Sequence, residues 1–167
     1  MPNEHLATYL NDHLAGAVAA VKLLEHLETT HRDTPVSPFA AALRADIEAD
    51  RRELEGLMAR LDVSESGPRK ATAWLAERVT QLKLRVDDKA GGTLRLLESL
   101  EAVSLGIEGK LTLWRTLAAG TQDLGELRGV DYDRLARRAE EQRARVEPIR
   151  LDAARAAFAA TSGARAG

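Results

Sequence analysis

Apolar residues recur along this chain at spacings of three and four, and no stretch replaces that rhythm with alternation by two. Leu10, Leu14, Ala17, Val21 and Leu24 make one such stripe; Leu43, Ile47, Leu54, Leu57 and Leu61 make a second. A period near 3.6 lines up one face of a helix, whereas a half-buried strand needs a period of two. Alternating β-branched and aromatic runs are missing, and aromatic residues are only 4% of the 167. The expected fold class is all-α.

Glycine and proline divide the chain into five helical segments. The first covers about 4–31. Ser37 followed by Pro38 reads as the start of the second, a side-chain oxygen for the free amides and then a residue with no amide to satisfy. That segment runs to about 61. Ser-Glu-Ser-Gly-Pro at 64–68 breaks the chain, and a shorter segment over 69–86 carries Trp74, Leu75, Val79 and Leu82. After the break at 87–92, Thr93 is placed to cap a fourth segment that turns Leu97, Leu100, Val103, Ile107, Leu111 and Trp114 inward. A loop at 120–129 precedes Asp131 and Asp133, either of which can cap the last segment. Tyr132, Leu135, Ala139, Val146, Ile149, Ala153 and Ala156 form its seam. Pro148 lies inside it and should kink it or remove a hydrogen bond. The small residues of 161–167 are expected to fray.

Short loops make the first two segments antiparallel neighbours, and likewise the last two. About 30 residues lie between the pairs. Four long helices with one long crossover carrying a short fifth helix are the ferritin-like arrangement, here in a single domain over 1–167. Leu14, Val21, Ile47, Leu54, Val103, Ile107 and Val146 are expected in one contiguous core.

Several function classes are disfavoured by composition. With 24 Lys+Arg against 26 Asp+Glu, net charge is −2, which argues against a general polyanion binder. The last segment is rich in Arg, but it also holds six acids, with Asp133–Arg137 and Glu141–Arg145 at i,i+4, so no nucleic-acid partner is expected. Cysteine is absent, which removes disulfides, thiolate metal sites and thiol nucleophiles. The longest apolar run, Leu14 to Val21, falls far short of the ~20 residues of a membrane span. The opening Met-Pro-Asn-Glu-His shows no secretory signal pattern, so a cytoplasmic location is the expectation. Gly-rich phosphate loops, a nucleophile elbow and His-Glu-x-x-His are also missing.

Three stretches, YLNDHLAGAVAAVKLLEHL (9–27), LRADIEADRRELEGLM (43–58) and LESLEAVSLGIEGKLTLWRTLA (97–118), resemble a bacterial branch of the ferritin-like superfamily. The resemblance covers roughly 5–160. It implies the fold first, and in metal-bearing members a Glu on each of two helices with Glu-x-x-His on each of the other two. This chain lacks that pair of motifs.

Polar residues nevertheless interrupt the apolar seams. Asp50 falls between Ile47 and Leu54, and Gln142 between Ala139 and Val146. Glu101, Ser104 and Glu108 share a flank of the fourth segment, and His13 sits beside Leu10 and Leu14. Counting back from the loops, Glu108 is level with Gln142, and His13 lies within a turn or two of Asp50 and Glu53. Buried polar groups must find each other, water or a metal. One reading is therefore a set of hydrogen bonds across the bundle. The other is a non-standard iron or manganese site formed by His13, Asp50, Glu53, Glu108 and Gln142. Gly106 and Gly109 each cost roughly 1 kcal/mol relative to alanine in a helix. Close approach to Gly16 and Ala17 is one reason for them; room for a ligand or another subunit is the other. The resulting expectation is a non-catalytic bundle without cofactor that self-associates or binds a protein partner. A homodimer packed through Ala40 to Ala42 and Ala153 to Ala160 is one form of it. The alternative is a carboxylate-bridged di-metal oxidoreductase or iron-handling protein.

Overall fold

The first apolar stripe builds α1 (Glu4–Thr30), which opens on Asn3, whose side chain accepts a hydrogen bond from the His5 N–H at 2.9 Å. The structure, a computed structural model, describes residues 3–65 and 92–162. Helix α2 (Val36–Arg60) starts before the Ser37–Pro38 pair and has no side-chain cap. Ser37 instead donates to the Glu28 carbonyl at 2.9 Å and ties the start of α2 to the end of α1. Pro38 still fits, because amides of the first turn have no intrahelical acceptor.

The end of α2 is a Schellman turn without glycine. Val63 N–H reaches the Met58 carbonyl at 2.9 Å and Asp62 N–H the Ala59 carbonyl at 3.2 Å. Asp62 takes the left-handed conformation, φ 54°, and Val63 is buried behind it. Helix α3 (Gly92–Gly120) already includes Thr93, which lies within it rather than capping it. After a 3₁₀ turn at Gly125–Leu127, Asp131 accepts from the Arg134 N–H at 2.9 Å and opens α4 (Tyr132–Ser162). Pro148 sits inside α4. The short helix expected over 69–86, with Trp74, Leu75, Val79 and Leu82, lies outside the described residues, as do 163–167. Among the described residues there is no strand.

The helices pack as two hairpins, α1 with α2 and α3 with α4, and α1 also packs on α3. Leu10 and Leu14 of α1 meet Leu54, Leu57 and Met58 late in α2, Leu113 and Trp114 late in α3, and Leu135 early in α4. At the other end Val21 and Leu24 meet Ala40 and Leu43, Leu97 and Leu100, and Val146 and Ala153. Helices α1 and α4 therefore run one way and α2 and α3 the other. The end of α2 lies beside the start of α1, whereas Gly92 opens α3 at the opposite end. The seven residues expected in the core are all buried, but they are not one cluster. Leu14 and Leu54 belong to one apolar group, and Val21, Ile47, Val103, Ile107 and Val146 to the other. Ala40 and Ala153, named for a contact between subunits, are buried inside the bundle, Ala153 as its place on the seam implied. Among the described residues no helix is long and apolar enough to cross a membrane.

Candidate functional site

A layer of charge lies at the level where the two apolar groups meet. Asp50 follows Ile47 by three residues on α2 and precedes Leu54 by four, so helical geometry points it inward, and it is 2% exposed. Gln142 takes the equivalent place on α4, between Ala139 and Val146, and is 1% exposed. Its side-chain amide donates to Asp50 Oδ2 at 2.7 Å. Lys110 of α3 completes the layer, its ammonium donating to both Asp50 Oδ2 and Gln142 Oε1. Arg138 Nε stands 3.2 Å from the other Asp50 oxygen, and its guanidinium also donates to the Asp46 carbonyl at 3.2 Å. Asp50 and Gln142 thus do meet across the bundle.

The Lys110 side chain is only 13% exposed. Burial holds its pKa below the ordinary lysine value, while the charge and hydrogen bond of Asp50 pull the other way and nearby Arg138 adds to the lowering. Lys110 was not among the residues expected here, because a lysine on a helix normally extends its charge into water. The signal was available: it follows Ile107 by three and precedes Trp114 by four, a place on the inward stripe.

The other expected residues separate. Glu53 pairs with Arg134 at 3.0 Å on the surface between α2 and α4. Glu108 pairs with Arg143, and Glu101 with Arg150 at 3.5 Å, both between α3 and α4. Acids of the neighbouring helices thereby engage much of the Arg-rich face of α4. His13 lines a cavity that the layer also borders, through Asp50 and Lys110. Its ring meets Tyr9 edge to face, with centroids 4.6 Å apart. Burial lowers its pKa, partly opposed by Asp12. One Glu-x-x-His spacing does occur, Glu28-Thr-Thr-His31. It falls at the end of α1, where Glu28 binds Arg44 at 3.1 Å, and no second copy faces it. Among the described residues, no three His, Asp or Glu side chains converge to hold a metal ion.

The cavity has a volume of about 210 Å³ and is walled by α1, α2 and α3. Gly106 and Gly109 are on its wall, and a Cβ built on either meets nothing within 4 Å. They are therefore not there to let another helix approach closely, as one expectation had it; they leave space. No protein-family description, curated protein or solved structure matches this chain.

Proposed function

We propose that this chain is a ferritin-like bundle with no catalytic role, a self-associating or partner-binding module in which a lysine ammonium takes the mid-bundle place of a metal ion. The observation that carries this reading is Lys110 between Asp50 and Gln142. In metal-bearing bundles of this kind, inward carboxylates and imidazoles share the charge of bound cations. Here the inward carboxylate is already neutralised by a side chain. A cation brought to about 4 Å from the ammonium meets repulsion of about 4 kcal/mol per unit charge at an effective dielectric of ~20. Up-down-down-up helix order, with α2 and α3 parallel, supports the ferritin-like part of the reading.

Self-association is supported by Leu94 and Leu105, exposed on one face of α3 three turns apart. A homodimer through this face is lost when both leucines become Glu, read by light scattering at tens of micromolar. The metal-free layer is tested by melting the protein with and without Fe²⁺ or Mn²⁺, since a ligand raises Tm only by binding the folded state preferentially. No rise is expected. A clear rise that disappears in His13→Ala refutes the reading.

A further inference from the structure

Beyond that reading, we propose that the cavity between α1, α2 and α3 is a binding site for a small, neutral, mostly apolar molecule bearing one hydroxyl group, a phenol in the simplest case.

Three observations carry the proposal. The first is the space itself. An apolar cavity of roughly 150 Å³ accepts benzene, so about 210 Å³ suits a molecule of about eight or nine non-hydrogen atoms. Small residues on the two facing helices create this space: Gly16 and Ala17 on α1, Gly106 and Gly109 on α3. Two mid-helix glycines at which a Cβ would meet no atom within 4 Å cost helix stability without allowing a closer helix approach.

The second is a pair of unsatisfied polar atoms. Trp114 is 1% exposed, and its indole N–H has no hydrogen-bond partner. Asp12 Oδ1 is likewise buried without one. Both residues line the cavity, and they lie at one level of the bundle, since Leu10 and Leu14 beside Asp12 pack in the same group as Trp114. One atom is a donor awaiting an acceptor, the other an acceptor awaiting a donor. A hydroxyl group placed between them would accept from the indole and donate to the carboxylate.

The third is charge. On this wall the Lys110 ammonium is matched by Asp50 and the Arg51 guanidinium by Glu55 at 2.6 Å. The second Asp50 oxygen, also without a hydrogen bond, faces Arg138 at 3.2 Å, which leaves the Asp12 oxygen as the acceptor with neither hydrogen bond nor ion pair and disfavours an anion. Apart from His13, whose imidazole burial holds below its ordinary pKa, the remaining lining, with Ala20, Ile47, Leu54, Ile107 and Leu113, is apolar and suits a ring.

The test compares three probes on the full chain by isothermal titration and ligand-observed NMR: p-cresol, toluene and benzoate. Binding of p-cresol is expected, with toluene weaker by about three- to tenfold because one net hydrogen-bonded group is lost, and benzoate silent. Trp114→Phe removes the indole N–H while keeping a ring, and should weaken p-cresol binding severalfold yet leave it tighter than toluene, because Asp12 still accepts from the hydroxyl. Gly109→Phe, or Gly106→Met should the first variant fail to fold by circular dichroism, fills the space and should abolish p-cresol binding. Failure of p-cresol to bind the unaltered chain at millimolar concentration overturns the proposal. So does equal affinity for toluene, or binding that survives in a folded cavity-filled variant.

Discussion

Replacing Asp50 by Ala tests whether the charge layer is one coupled unit. In the structure this carboxylate accepts from Lys110 and from Gln142 at 2.7 Å and lies 3.2 Å from Arg138. Its removal leaves the Lys110 ammonium, 13% exposed, with only the Gln142 oxygen as a partner. Breaking a buried pair by deleting one member costs about 3–5 kcal/mol, most of it the stranded charge rather than the lost attraction. The lower end applies, because Gln142 still accepts and the flexible lysine stem can move its charge toward water. With a urea slope of about 2 kcal/mol/M, a loss of about 3 kcal/mol lowers the unfolding midpoint by about 1.5 M. The companion variant Lys110→Met should cost less, because Asp50 keeps the Gln142 amide and Arg138 beside it. In the double variant Asp50→Ala/Lys110→Met no ammonium is left unpaired, so much of the loss should return, giving a coupling energy of about 2 kcal/mol. Urea unfolding at pH 7 followed by far-ultraviolet circular dichroism supplies all four stabilities. A loss below about 1 kcal/mol for Asp50→Ala, or additive single effects, would refute the coupled-layer account.

Gly106→Ala and Gly109→Ala should each raise stability by about 0.5–1 kcal/mol, measured by thermal melting, because the added Cβ meets no atom within 4 Å and alanine is the better helix former. Asp131→Ala should cost about 1 kcal/mol in the same assay, since its carboxylate accepts from the Arg134 N–H at the start of α4. Burial lowers the pKa of His13 in the folded state, so below 6.5 the unfolded chain binds the additional proton and stability must fall with pH there. A His13→Gln variant should lose less stability than the parent between pH 7 and pH 5, with the similarly lowered His31 still contributing in both. Parallel curves for the two proteins would show that His13 contributes nothing to the acid response.

The helical architecture was legible in residue order because it rests on local physics. A period of 3.6 in Leu10–Leu24, Leu43–Leu61 and Leu97–Trp114 decides which side of each helix is buried, while Gly and Pro mark the breaks only approximately, since α2 ends on Asp62 and Val63 without either. The same periodicity marked Asp50 and Gln142 as inward, and they are. Local boundaries were read less well where side chains had a choice. Ser37 could cap its own helix or bond the preceding one, and only the packed hairpin offers it the Glu28 carbonyl. Glu53 and Glu108 lie one position off the inward stripe, and arginines on α4 draw them to the surface. Lys110 shows most clearly what tertiary structure alone decided. Sequence spacing placed it on the stripe, but burying an ammonium is unfavourable in isolation. It becomes acceptable only because two other helices bring a carboxylate and an amide oxygen to the same point. The cavity likewise belongs to no segment: glycines on α3 and short side chains on α1 become a volume only when the two helices are packed side by side.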